Sequence, residues 1–336
     1  MTRVRAIVLA MLMVLGLAVF AAACGGDDND SGGSGGSPAS KDDVDLTQGQ
    51  DVTIAMVTHG DGGSFWAVAK KGAEDAAKQM GINLRYSESN NDPQKQAQMI
   101  DAAVTEKVDG LAVSAPNPDA IRDSLKKAVD AGIPIITLNS GADQFKALGA
   151  ITHVGQDEAI AGQAAGARFK EEGAKKVLCI IHEQGNIGLN QRCDGVKQGF
   201  GGDVTNLQVK GTADVATTQT EIKSKLQADK SFDAVIALNP DIANAAATAV
   251  KGASSEAKLA TFDLNPDVTK RIKDGSIQFA VDQQQYLQGY LPIVFLKLYK
   301  TNANTVGGGQ PVLTGPGFVD QSNVDTVEKL AGEGTR

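Results

Sequence analysis

Residues 52–81 read VTIAMVTHGDGGSFWAVAKKGAEDAAKQMG, and the change of period inside this stretch decides the fold class. Val52 to Val57 is a short apolar run rich in β-branched residues, the composition of a strand buried on both faces. From Ser64 the spacing changes. Phe65, Ala69, Ala73, Ala76 and Met80 recur at helical intervals on one face, and Gly81 stops the helix. A buried strand, a polar glycine-rich turn and an amphipathic helix make half of a βαβ unit, so the remaining question is whether the chain repeats it.

It does. Ile82 to Tyr86 alternates like a strand, and Asp92-Pro93 then sets a capping carboxylate before a proline at the first helical position. Val108 to Val113 predicts another strand, Asn117-Pro118 a second cap, and the helix it opens runs to Ala131 before a strand from Ile133 to Leu138. Further strands are predicted at Lys176 to Ile181, Leu207 to Val209, Asp233 to Leu238, Leu259 to Phe262 and Ile277 to Val281, with helical stretches between them. These are too many for one comfortable sheet. The pattern predicts an α/β chain of two doubly wound parallel-sheet lobes.

The 336 residues are 42% hydrophobic, enough for a sizeable core, and the net charge of -8 leaves no basic cluster for a nucleic-acid backbone. At the amino terminus Arg3 and Arg5 precede an uncharged run from Ala6 to Ala23, the pattern of a signal peptide over residues 1–23. That run is also long enough to span a bilayer as an uncleaved anchor. Cys24 favours cleavage, because Ala22-Ala23-Cys24 resembles a bacterial lipobox, although Ala21 stands where leucine is usual. Residues 24–50, rich in Gly, Ser and Asp up to Ser40, are then expected to be a flexible tether behind a lipidated Cys24, on an exported protein held to the membrane by that anchor alone.

In open α/β sheets ligands sit at the carboxyl ends of strands, which directs attention to His59, Asp61, Phe65 and Trp66 after the first strand. Trp66 is the single tryptophan, and an aromatic face beside polar groups suits the CH face of a sugar. Core packing at the helix start is the alternative use of the aromatic pair.

His59 to Ala73, Asn91-Asp92-Pro93, Ala131-Gly-Ile-Pro-Ile135, Ala260-Thr-Phe-Asp263 and Asp282-Gln-Gln-Gln-Tyr286 together resemble, in order, the landmarks of bacterial ribose-type periplasmic sugar-binding proteins. The resemblance implies two flavodoxin-like lobes joined by a three-segment hinge, with residues 51–155 plus 284–302 in one lobe and 156–283 plus 303–336 in the other. It also implies a cleft that shuts on a small sugar or polyol, an ABC importer permease as partner, and no cofactor. Its binding positions fall on His59, Phe65, Trp66, Asn91, Arg192, Asn239, Asp241, Asp263 and Gln283. Arg192 stands where the family has an arginine that forks onto sugar hydroxyls. Where the family commonly has Asp-Arg, this chain has Asn139-Ser140, which puts the usual pentose specificity in doubt and points to a neutral, hydroxyl-rich ligand. A monomer is expected.

With Cys24 lipidated, Cys179 and Cys193 are an even pair in an oxidising compartment, and a disulfide between them is a hypothesis. Three histidines, His59, His153 and His182, show no metal-site spacing, and the Ser124 to Lys127 SxxK string lies in a helix without its partner motifs. The chain is therefore expected to be a binding protein and not an enzyme. A hydrolase reading would need Asp61, Asp241 and Asp263 to converge, and a signalling role docking on a chemoreceptor or sensor kinase would use the same two lobes.

Overall fold

The computed structural model describes residues 51–336, so the signal segment, Cys24 and the tether lie outside the described residues. The first sheet holds β1 (Val52–Thr58), β2 (Ile82–Glu88), β3 (Gly110–Ser114), β4 (Ile135–Leu138) and β5 (Thr152–Gly155), all parallel. The second holds β6 (Lys176–Ile181), β7 (Asp203–Gln208), β8 (Ala234–Ala237), β9 (Lys258–Phe262) and β10 (Phe279–Asp282), again parallel. Late in the chain β11 (Val312–Leu313) joins the first sheet beside β5, and β12 (Gly317–Asp320) pairs antiparallel with β10. The spatial orders are β11-β5-β4-β3-β1-β2 and β12-β10-β9-β8-β6-β7. In each sheet the order reverses beside the first strand of the lobe, and the crevice at such a switch point is where these folds bind ligands.

Helices cover both faces of each sheet, and the alternation along one strand shows why. Ile54 and Met56 of β1 join the core under α1 (Ser64–Met80) and α9 (Gln285–Asn302). Ala55 and Val57 point the other way, into the core under α2 (Pro93–Thr105) and α3 (Pro118–Asp130). In the second lobe Leu178 and Ile180 pack toward α6 (Val215–Ala228), α7 (Pro240–Gly252) and α8 (Pro266–Lys273), while Val177 and Cys179 face α4 (Glu158–Glu171) and α5 (Ile187–Phe200). α10 (Asp325–Gly332) adds Val327 to the first of these clusters.

The α1 helix has the predicted bounds, and Gly81 closes it at φ 62. Asp92 caps α2 as expected, accepting from the Gln94 and Lys95 amides. Asn117 does not act as the predicted second cap: α3 starts at Pro118, yet the Asn117 side chain makes no capping bond. α9 falls within residues 284–302, which the resemblance implied for the first lobe, and it lies against α1 so closely that a Cβ on Gly289 would fall 1.8 Å from the Ala69 carbonyl oxygen. β5, β12 and α10 escape the sequence reading, and β7 begins earlier than Leu207, at Asp203. β11 moves a boundary. Residues 312 and 313 belong to the first sheet, so the last crossing falls between Leu313 and Gly317 and not at 302/303.

Cys179 on β6 and Cys193 on α5 form a disulfide with a Cα–Cα distance of 5.9 Å, inside the core of the second lobe. The bridge closes a loop with a sequence separation of 14. Restricting a loop of that length in the unfolded chain is worth about 3 kcal/mol. Reduction, or Cys179→Ala with Cys193→Ala, is expected to lower the urea-unfolding free energy by that amount. A loss below about 1 kcal/mol would show that the pair adds little.

Candidate functional site

Two adjoining spaces open where the strand ends of the two lobes meet. The inner one is small, about 30 Å³, and its walls bring together His59, Phe65, Trp66, Asn139, Arg192, Asn239, Asp263 and Gln283. These are eight of the eleven predicted site residues. The outer pocket measures about 570 Å³ and holds Asp61, Asn91 and Asp241, with His59 shared between the two. Buried polar groups line both spaces, and more of them, including Arg192, Asp263 and Gln283, line the inner one. It is small because the lobes are drawn together over it. Ser64 of the first lobe gives both its amide and its hydroxyl to Asp241 of the second, at 3.0 and 2.9 Å. Thr212 Oγ1 donates to Asp61, the Ile187 amide donates to the Pro116 carbonyl at 3.0 Å, and Ser140 Oγ donates to Asn186 Oδ1 at 3.3 Å.

The first lobe supplies the apolar wall. Phe65 and Trp66 stand on the first turn of α1, each only 4% exposed, with ring centroids 5.0 Å apart and edges turned to faces. They belong to the core and line the cavity at once, so core packing does not take the pair out of the cavity wall. His59 lies edge-on to Trp66 at 4.8 Å, and Ser114 Oγ holds its ring at 2.7 Å from Nδ1.

The second lobe supplies charge. Arg192 lines the cavity, and three of its five donors are engaged inside the second lobe. Nε and Nη2 donate to the two carboxylate oxygens of Glu158 at 2.6 and 3.0 Å, Nη1 donates to the Leu238 carbonyl at 3.0 Å, and the guanidinium stacks 4.5 Å over Phe262. Glu158 therefore neutralises the cation, and Asp263, 2% exposed, has no counter-ion of its own. Burial pushes its carboxyl up to about 7, against the pull of Arg192 and of a 2.7 Å bond from Gln283 Nε2.

Gln283 is itself held. Asn139 Nδ2 donates to Gln288 Oε1 at 3.3 Å, Gln288 Nε2 donates to Gln283 Oε1 at 2.9 Å, and Gln283 passes the relay to Asp263. This amide chain runs from the end of β4 in the first lobe, through a residue of α9, to the end of β9 in the second. Asn139 (φ 60) and Asp263 (φ 69) both adopt the left-handed conformation, which Asn and Asp tolerate better than other side chains. Asn239 caps α7 through the amides of Asp241 and Ile242 and still lines the cavity.

Sequence reasoning did not mark Glu158, His182, Glu183, Asn186 or Gln288 as site residues. Glu183 faces His59 Nε2 across the lobes at 3.6 Å and accepts from Asn186 Nδ2 at 2.6 Å. Burial raises a carboxyl, but these partners outweigh it and hold Glu183 down to about 2. His182 beside it is pushed down by burial. Their position just after β6, matching His59 after β1, was the available signal. Asp61 and Asp241 line the outer pocket while Asp263 lines the inner cavity, so the three carboxylates of the hydrolase reading do not converge. Among the described residues no helix is long and apolar enough to cross a membrane.

Residues 54–303 match the model of a family described as the periplasmic binding protein domain. A solved carbohydrate transporter from Acidothermus cellulolyticus, in complex with myo-inositol, is 49% identical with a TM-score of 0.84, covering 85% of this chain and 100% of its own. The ribose import binding protein RbsB of Escherichia coli is 28% identical over 240 residues, 69% of this chain and 79% of the relative. The xylose/arabinose-binding protein XylF of Sulfolobus acidocaldarius is 25% identical over 288 residues, 81% of this chain and 71% of the relative.

Proposed function

The chain belongs to the periplasmic binding protein family, and on that premise we propose that it captures one neutral cyclic polyol of the myo-inositol type between its lobes and hands it to an ABC importer. The observation that carries this reading is the inner cavity. An aromatic wall from the first lobe faces a buried carboxylate and three amides, Asn139, Asn239 and Gln283, with no uncompensated cation among them. Hydroxyl groups donate to Asp263 and exchange bonds with the amides, while axial and ring CH groups lie on Phe65 and Trp66. A phosphorylated or anionic sugar would meet Asp263 and Glu183 without a free guanidinium to offset them. The myo-inositol complex of the 49% identical relative supports the same ligand class.

At about 30 Å³ the inner cavity is closed down further than a polyol ring allows, so capture requires the lobes to part and to reclose less tightly over the ligand. The ligand touches both walls, so it favours the closed arrangement by whatever contacts it makes there and lacks in the open one. The chain acts as a binder, not a catalyst, and works as a monomer exported through the segment 1–23 and tethered by Cys24. Trp66 is the single tryptophan and lies on the cavity wall, so its fluorescence reports binding. In a panel of inositols, pentoses, hexoses and linear polyols, myo-inositol is expected to change Trp66 emission and to raise Tm most. At a concentration of 100 Kd the stabilisation is about 2.7 kcal/mol. No response to any cyclic polyol would refute the reading. Trp66→Phe is the variant to use, because Trp66 is core as well as wall and its alanine variant would also cost about 3–5 kcal/mol of stability.

A further inference from the structure

The outer pocket has a volume within the range of small-molecule sites, about 570 Å³, and its walls come from both lobes. It shares His59, His182, Glu183 and Asn186 with the inner cavity, so these four form a collar between the two spaces. The cross-lobe contact inside the collar is long: His59 Nε2 and Glu183 Oε2 stand 3.6 Å apart. Two wall residues carry buried polar atoms without a hydrogen-bond partner, Ser89 Oγ on the first lobe and His182 Nδ1 on the second. Leaving such atoms unpaired costs about 1–3 kcal/mol each. The charges on the wall are uneven, since Asp61, Asp92, Glu183 and Asp241 face a single lysine, Lys210.

Resting on the polyol reading above, we infer that the outer pocket is a second subsite, which takes a neutral hydroxylated ring attached to the polyol, so that the preferred ligand is a glycosylated cyclic polyol. With the lobes parted beyond the 3.6 Å contact of His59 and Glu183, the polyol ring lies in the inner cavity, the linking oxygen passes the collar on the His59 side, where Nε2 can donate to it, and the second ring's hydroxyls meet Ser89, His182 and the amides of Gln184 and Asn117. The excess of carboxylates excludes a phosphate as the substituent.

The test is calorimetric titration of the purified protein with myo-inositol, with 1-O-galactosyl-myo-inositol and with an inositol monophosphate. The galactosyl compound is expected to bind at least about tenfold tighter than myo-inositol, and the monophosphate weaker than either. Ala213 is exposed on the outer wall and makes no part of the inner cavity, so Ala213→Trp fills the pocket without disturbing the core. That variant is expected to abolish the gain while myo-inositol affinity stays within about twofold. Ser89→Ala is expected to weaken the galactosyl compound about fivefold and myo-inositol not at all. The subsite is overturned if myo-inositol binds and the galactosyl compound binds no tighter, if the gain survives Ala213→Trp, or if the monophosphate binds best. If neither neutral compound binds, the polyol reading itself falls.

Discussion

Arg192→Met is expected to lower the free energy of unfolding by about 3–5 kcal/mol. The size of the effect comes from what the substitution leaves behind. The Glu158 side chain is 1% exposed, and its charge is matched by the Arg192 fork at 2.6 and 3.0 Å. Gln156 Nε2 also donates to it at 2.8 Å, but an amide brings no charge. Without Arg192 the protein must bury an uncompensated carboxylate or take up a proton, and the nearby Asp263 loses a cation that lowers its own pKa. A second change, Glu158→Leu, is expected to recover most of the loss, because replacing a buried pair by apolar groups is close to neutral whereas breaking it is not. Urea unfolding followed by circular dichroism measures both. A single-variant loss below about 1 kcal/mol would show that the pair is not the organising contact described above.

Asp263→Asn is expected to separate stability from binding. In the folded state burial pushes the Asp263 carboxyl up to about 7, well above the ordinary range of an aspartate. Between the two the folded protein holds a proton that the unfolded chain has released, so wild-type stability falls as pH rises through this window and levels off above it. The asparagine variant has no such proton to lose. It is expected to equal the wild type near pH 4 and to exceed it at pH 8, by a margin on the order of 4 kcal/mol. Affinity for myo-inositol moves the other way. A hydrogen bond to a charged acceptor contributes about 1.5–3 kcal/mol, so binding is expected to weaken about ten- to a hundredfold. Melting curves across pH and calorimetric titration at pH 8 check the two halves. A variant that is no more stable at high pH would place Asp263 in a wetter environment than its 2% exposure implies.

The α/β class and the bounds of α1 were legible because they rest on local periodicity, and a seventeen-residue amphipathic helix states its period many times over. β11 could not be read, since two residues carry no period, and it was β11 that moved the lobe boundary. Asn117-Pro118 shows the limit of a local rule. The proline starts the helix as expected, while the asparagine side chain is left out of the capping bond.

The site divides the same way. Eight of the eleven residues chosen by position after strands or by the family resemblance do meet in one cavity, because parallel strands deliver their carboxyl ends to a common edge and α5 brings Arg192 to it. The sequence by itself determined the strand-and-helix alternation, the two-lobed class and the candidates that follow strands, all of which depend on near neighbours, while Arg192 came from the family resemblance. Only the tertiary structure decided what each residue does. It paired Arg192 with Glu158, 34 residues apart, and so left Asp263 without a counter-ion. It ran an amide relay from Asn139 to Gln288, 149 residues apart, and on to Asp263. It also set Asp61 and Asp241 in a separate outer pocket. Partners that distant are chosen by the packing of two lobes around a hinge, and no local period records them.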